Sequence, residues 1–186
     1  MSNNISKYDD TQLFEMLKGK GREAETAFAE LYARYSQRVY AYCLRVTGHS
    51  EDAKDIFQET FLKFFDSVKE NETVDNVPGY LLVIARNICI NHKRDRKPNF
   101  SLEDFRTWTN DSDYESKELL QLLASALELL ETEYREAFVL RLYQGLSYPE
   151  IAKITGDTQS AVKNRVWRAK EKIKEILTPY IEDLSK

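Results

Sequence analysis

The chain has 186 residues, 42% of them apolar and 31% charged, with a net charge of −4. That length allows one large or two small domains with a real core. Mild acidity excludes a nonspecific nucleic-acid coat, so any DNA binding must come from local patches.

Six glycines and four prolines point to long helices and few turns. No apolar run approaches bilayer length, so no membrane insertion is expected, and the polar start MSNNISKYDD has no signal core. Cys43 and Cys89 sit inside apolar helical patterns, as reduced core thiols of a cytoplasmic protein would.

Residues 1–10 read as a frayed tail. A short helix is expected from Asp10 or Thr11, with Leu13, Phe14 and Leu17 apolar. A longer one follows over Arg22–Val46, its buried stripe being Ala24, Ala27, Phe28, Leu31, Tyr35, Val39 and Cys43, and Gly48 closes it. The aromatics Tyr32, Tyr35, Tyr40 and Tyr42 read as packing residues.

Residues 51–68 form the next predicted helix. Ala53, Ile56, Phe57, Phe61, Phe64, Phe65 and Val68 make its apolar face; Asp52, Asp55, Gln58, Glu59 and Asp66 make its polar side. Such a strip is either a solvated acidic face or a docking surface for a basic protein. After the polar loop 69–77, Pro78 suits the first position of a helix to about residue 95, with Leu81, Ile84, Ala85 and Ile88 inward. Its end, residues 86–97, carries Arg86, Lys93, Arg94, Arg96 and Lys97 against Asp95. That cluster complements the helix dipole, or it contacts phosphates beside the base-reading amides of Asn87 and Asn91.

From Pro98 to Glu118 apolar periodicity stops, six acids face two bases, and the composition predicts a mobile acidic linker. Phe100, Leu102, Phe105 and Trp108 suggest local docking of that linker. Helical period resumes with a seam of Leu119, Leu122, Leu123, Ala126, Leu129 and Leu130. Thr132 then reads as the cap of a helix bearing Ala137, Phe138, Leu140 and Leu142, with Arg135 in place of the capping-box Glu, and Gly145 ends it. Next come Ser147 and Glu150 in capping-box spacing, a short helix ended by Gly156, and Thr158 or Ser160 as the next cap. In the last helix Val162, Val166, Ala169 and Ile173 form a buried stripe, while Lys163, Asn164, Trp167 and Arg168 fall opposite it. Two helices around a short glycine turn, the second with an apolar and a Lys/Asn/Arg face, suit a DNA major groove.

Phosphate loops, dinucleotide fingerprints and nucleophile elbows are missing, His49 and His92 have no Cys or His at metal spacing, and no catalysis, cofactor or metal is expected. The fold class is all-α: two small helical domains joined by a flexible acidic linker, the C-terminal one containing a helix-turn-helix.

DAKDIFQETFLKFF, PGYLLVIARNICINHKRD and the span from Leu129 to Leu177 resemble regions 2.2, 2.3–2.4 and 4.1–4.2 of bacterial sigma factors of the extracytoplasmic-function group. The resemblance covers about residues 10–97 and 116–180. It implies a region 2 domain at 1–97, a linker at 98–118 and a region 4 domain at 119–186. It implies a subunit that binds core RNA polymerase and directs it to promoter DNA. Asp55, Gln58 and Glu59 match the motif that docks on the β′ clamp helices. The loop from Asn71 to Pro78, with Asn71, Thr73 and Asn76, matches the loop that holds a flipped −10 base, and Asn87, Asn91 and Arg94 match further −10 contacts. Tyr80 replaces the family's usual Trp, leaving open whether the ring packs in the core or stacks on DNA. Lys163, Asn164, Trp167 and Arg168 match the −35 readers. Domain four is expected on the β flap, and an anti-sigma factor is implied.

The alternatives are a helix-turn-helix regulator that is not a polymerase subunit, and a helical interaction protein without DNA contact. A receiver-type N-terminal half would alternate strands and helices; residues 10–97 read as helical throughout.

Overall fold

The computed structural model describes residues 5–70, 73–93 and 122–184, and among them every regular element is a helix. They form two compact units: residues up to 43 with 53–93, and residues 44–52 with 122–184.

In the first unit, α1 (Asp10–Leu17) begins with a complete capping box. The Asp9 carboxylate accepts from Gln12 N at 2.8 Å, and Gln12 Oε1 accepts from Asp9 N at 2.9 Å. Residues 5–10 are not frayed. A 3-10 turn spans Ile5–Lys7, and Arg34 of α2 (Arg22–Thr47) holds this segment by donating to Ser6 O and Tyr8 O at 3.0 and 2.9 Å and to Asp10 Oδ1 at 3.0 Å. Tyr35 donates its hydroxyl to the same Asp10 carboxylate. Burial, then that carboxylate, push the Tyr35 phenol up to about 12, so it stays a donor at neutral pH.

On α3 (Ser50–Ser67) Ala53, Ile56, Phe61 and Phe64 are buried. Phe28 and Tyr32 of α2 meet Phe61 at 6.2 and 4.8 Å between ring centroids, and Phe14 meets Phe64 at 6.1 Å. The buried hydroxyl of Thr60 satisfies itself on Ile56 O at 2.6 Å. Tyr42 is wholly buried and Tyr32 is 40% exposed. Cys43 and Cys89 are buried thiols that form no disulfide, as the apolar pattern predicts.

Helix α4 is Val77–Lys93. Pro78 therefore occupies its second position, not the first. Val77 is completely buried and takes the first, while Asn76 caps the end by accepting from Gly79 N at 2.9 Å. Proline is still tolerated there, because the first-turn N–H groups have no intrahelical acceptor. The linker, including Phe100, Leu102, Phe105 and Trp108, and Leu119 lie outside the described residues.

In the second unit residues 122–128 are helical (α5), followed by α6 (Thr132–Phe138), α7 (Tyr148–Thr155) and α8 (Gln159–Leu184). Ala126, Leu127, Leu130 and Phe138 pack with Ala169, Ile173 and Leu177 of α8. Three expectations need correction. Leu129 is 65% exposed: α5 ends at 128, so the seam passes through Leu127 and turns to Leu130. Thr132 is the first helical residue, not the cap; Glu131 holds the cap position and its side chain makes no capping bond. Leu142 is 48% exposed because α6 runs into a π turn over Val139–Tyr143, with Gln144 N bonded to Val139 O at 3.0 Å. The wider turn shifts the phase, so Val139 and Leu140 point inward and Leu142 outward.

Arg135 is 1% exposed and turns back to cap α5, donating Nε to Leu127 O at 2.8 Å and Nη2 to Glu128 O and Leu130 O at 2.7 and 3.1 Å. One guanidinium thus adds donors where the helix end runs short of them; Leu127 O also accepts from Leu130 N at 3.2 Å.

The α7–α8 turn forms as its sequence predicts. Ser147 and Glu150 make a capping box, Gly156 sits at φ 74°, and Ala161 N donates to Thr158 Oγ1 at 3.2 Å. Helix α8 continues through Pro179. Gly156→Ala is expected to cost about 1 kcal/mol, because a Cβ is disfavoured in the left-handed region; urea unfolding followed by circular dichroism measures it, and an unchanged midpoint contradicts the role.

Candidate nucleic-acid and protein interfaces

The first surface is the outer side of α3. Ile56, Thr60 and Phe64 take the core side, which leaves Asp55 and Gln58 exposed and Glu59 half-buried one turn apart. Glu59 pairs with Lys63 at 2.7 Å. Leu62 continues the same face and is 67% exposed; Phe65, read as core, is 41% exposed. Sequence reasoning missed this apolar centre because Phe65 merges with the helix's wide aromatic stripe. The usable signal was Leu62, an apolar residue in phase with acids instead of with the core. Uncharged, bulky groups ringed by charge are the composition of a protein-docking patch.

The second surface runs from the 73–76 loop up α4. Thr73 and Asn76 are exposed before the helix, and Asn87 and Asn91 are exposed on it, one turn apart. At 1.5 Å per residue, Asn87 stands roughly 16 Å along from Asn76. Asn71 and Arg94 lie outside the described residues. The Asn76 carboxamide is held in place. Its Oδ1 is the helix cap, and a Cβ on Gly79 would sit 2.7 Å from its Nδ2. The lack of a side chain at Gly79 makes room for it. Tyr80 is half-buried with its ring 6.3 Å from Phe64, so it packs toward the core.

The third surface is on α8. Val162, Val166, Ala169 and Ile173 are buried as predicted, and Lys163, Asn164, Trp167 and Arg168 are all exposed, Trp167 by 60%. Arg168 Nε donates to Asn164 Oδ1 at 3.1 Å. Arg165, between them, serves structure: it pairs with Asp157 and with Glu133 at 3.2 Å. Sequence reasoning missed Arg141 and Tyr148. Arg141 bonds Leu146 O at 2.8 Å and lies over the Tyr148 ring at 4.9 Å, and Lys163 reaches the same ring at 5.7 Å. Two cations share one aromatic ring beside the exposed Lys/Asn/Arg strip. No local pattern predicts this cluster, because it joins residues from three elements.

Among the described residues no cluster of His, Cys, Asp or Glu could hold a metal, and no helix is long and apolar enough to cross a membrane.

Known proteins resemble this chain in sequence and fold. Residues 31–98 match Sigma-70 region 2 and residues 120–173 match Sigma-70, region 4. The chain is 32% identical over 158 residues to the RNA polymerase sigma factor CarQ of Myxococcus xanthus, covering 83% of this chain and 91% of CarQ. It is 31% identical over 165 residues to the ECF RNA polymerase sigma factor SigE of Mycolicibacterium smegmatis, covering 84% of this chain and 64% of SigE. Among solved structures, the sigma factor RpoE in complex with the anti-sigma factor NepR, from Bartonella quintana, superposes with a TM-score of 0.67 at 25% identity, covering 81% of this chain and 96% of that one. CnrH, in complex with the cytosolic domain of CnrY, shares the fold with a TM-score of 0.71 at 23% identity, covering 92% of this chain and 99% of that one. With both sigma regions in order, and relatives above 30% identity along most of its length, this chain belongs to the extracytoplasmic-function group of the sigma-70 family of RNA polymerase sigma factors.

Proposed function

We propose that this sigma factor divides its work among the three surfaces. The family's function is to bind core RNA polymerase and direct promoter-specific initiation; it is not a family of catalysts. In our reading Asp55, Gln58 and Glu59 dock on the basic β′ clamp helices, with Leu62 and Phe65 as the desolvated centre. Thr73, Asn76, Asn87 and Asn91, together with Asn71 and Arg94, engage the −10 element, the loop holding an extruded base by its Watson–Crick edge. Lys163, Asn164, Trp167 and Arg168 read the −35 element from the major groove, where asparagine pairs with adenine and the cations take phosphates or guanine edges. Arg141 joins them on the phosphates. The functional domains are 1–97 and 119–186, and the latter also contacts the β flap. The protein works in the cytoplasm. The solved complex of RpoE with NepR supports an anti-sigma partner here too.

The observation that carries this reading is the set of four solvent-facing readers, Lys163, Asn164, Trp167 and Arg168, standing directly opposite a buried valine and alanine stripe. A helix so divided presents hydrogen-bonding groups without disturbing its own packing. Reconstituted transcription with bacterial core polymerase tests it: promoter-specific initiation is expected, and failure to bind core or to initiate defeats it. A regulator that is not a polymerase subunit has no use for the region 2 half.

Asn87→Ala is expected to reduce open-complex formation about tenfold, as loss of one base-edge contact does. Duplex −35 binding should not change. Permanganate footprinting and −35 gel shifts separate the two, and loss of both together contradicts the division of labour.

A further inference from the structure

The cap of α4 also decides what Asn76 can offer to a ligand. Asn76 stands just before Val77, so the N–H groups its side chain can reach belong to the second and third helical residues. The second is Pro78, which has no N–H. Gly79 N is the donor left, and it holds Asn76 Oδ1 at 2.9 Å. The backbone oxygen of Asn76 is taken as well, by Tyr80 N at 2.9 Å. The carboxamide lies across Gly79: a Cβ there would stand 2.7 Å from Nδ2, 2.9 Å from Cγ and 3.1 Å from Oδ1. Val74 and Val77 are buried on either side, so the exposed pair Asp75 and Asn76 stands on an anchored turn.

We infer that Asn76 selects a keto base, thymine or guanine, over an amino base, cytosine or adenine, and that Pro78 and Gly79 are the positioning residues that make it do so. With Oδ1 turned into the helix end, the side chain presents its Nδ2 donors outward. O4 of thymine and O6 of guanine accept such a donor. The amino groups that cytosine and adenine carry at the same ring positions are donors themselves and cannot. Asp75, exposed beside Asn76, opposes phosphate by like charge, so the acceptor is a base and not the backbone. Asn76 has this role only within the −10 reading of the loop, on which the assignment rests.

The test uses polymerase holoenzyme and fork-junction promoter probes whose −10 non-template strand is single, so that exchanging a base changes no pairing. Thymine is exchanged with cytosine, and guanine with adenine, one position at a time. At a single position the wild type should bind the keto base roughly tenfold more tightly than its amino counterpart. Asn76→Asp keeps an equally good cap but presents oxygen outward, so the preference there should reverse toward the amino base while the urea midpoint stays. Gly79→Ala substitutes a better helix former, yet its Cβ displaces the carboxamide. The keto preference should then fall to about twofold or less, with no loss of stability. A purely structural role would instead lower affinity alike for every probe. A keto preference that both variants leave intact overturns the proposal. So does a loss of affinity in Asn76→Asp that is equal for all bases, because the acceptor is then a phosphate oxygen. If Asn87→Ala also leaves open-complex formation unchanged, the −10 reading falls with it; if Asn87→Ala impairs it, the Asn76 assignment falls alone.

Discussion

Replacing Asp55 and Glu59 together by lysine is expected to weaken core-polymerase binding about a hundredfold. Each change removes an attraction and adds a repulsion toward a basic partner, at a face whose exposed Leu62 and Phe65 would exclude water on docking. Partial desolvation strengthens both terms. The fold should survive, because the buried side of α3, with Ile56, Thr60 and Phe64, is untouched, and the one ion pair lost, Glu59 with Lys63, is exposed. Fluorescence anisotropy of labelled protein against core polymerase measures the effect. The wild-type affinity should fall with added salt. Equal affinities for wild type and variant would show that polymerase docks elsewhere. Leu62→Ala, with no charge change, should weaken binding without altering the salt dependence.

Arg135→Ala is expected to lower the stability of the second unit by roughly 3 kcal/mol, the consequence of leaving several buried carbonyls unpaired. Arg135 holds three carbonyls at and beyond the end of α5. Alanine removes the guanidinium's bonds to those groups, with Leu127 O keeping its bond from Leu130 N, and opens a cavity beside Leu127. Arg135→Lys keeps a charge but not the planar fork, so it should recover only part of the loss. Urea unfolding followed by circular dichroism reads both variants, and an unshifted midpoint for Arg135→Ala refutes the cap. The same variant should bind −35 duplex more weakly near its unfolding temperature, although Arg135 itself is buried.

What was legible in the sequence was what acts within a few residues. The Ser147–Glu150 box, the Gly156 stop, the Thr158 cap and the Val162–Ile173 stripe each depend on neighbours three or four positions away, and all of them form. The exposure of Lys163, Asn164, Trp167 and Arg168 was legible for the same reason: a helix that buries one stripe must expose the other. The misses have partners distant in sequence or break helical period. Arg135 looked like a defective capping box because its acceptors belong to the preceding helix. Leu129 and Leu142 kept an apolar identity while a helix end and a π turn rotated them outward. Leu62 and Phe65 could not be separated from an aromatic core until α2 and α1 were in place around them. Arg141 and Tyr148 met Lys163 only through the fold.

The π turn at Val139–Tyr143 also governs which changes of length the second unit can tolerate. It is an α-helix holding one residue more than its ladder requires, and the surplus is absorbed in a single widened loop. Substitutions there alter side chains and leave the count intact. Deleting one residue would let the ladder close as ordinary α-helix and rotate everything after it by about 100° relative to Ala137 and Phe138. Leu142 would swing toward the core, and the approach to Ser147 and α7 would be re-aimed. The helix-turn-helix is thus indexed to the rest of its unit by a residue count, and a deletion within 139–143 should abolish −35 binding where most single substitutions of the exposed Leu142 are tolerated.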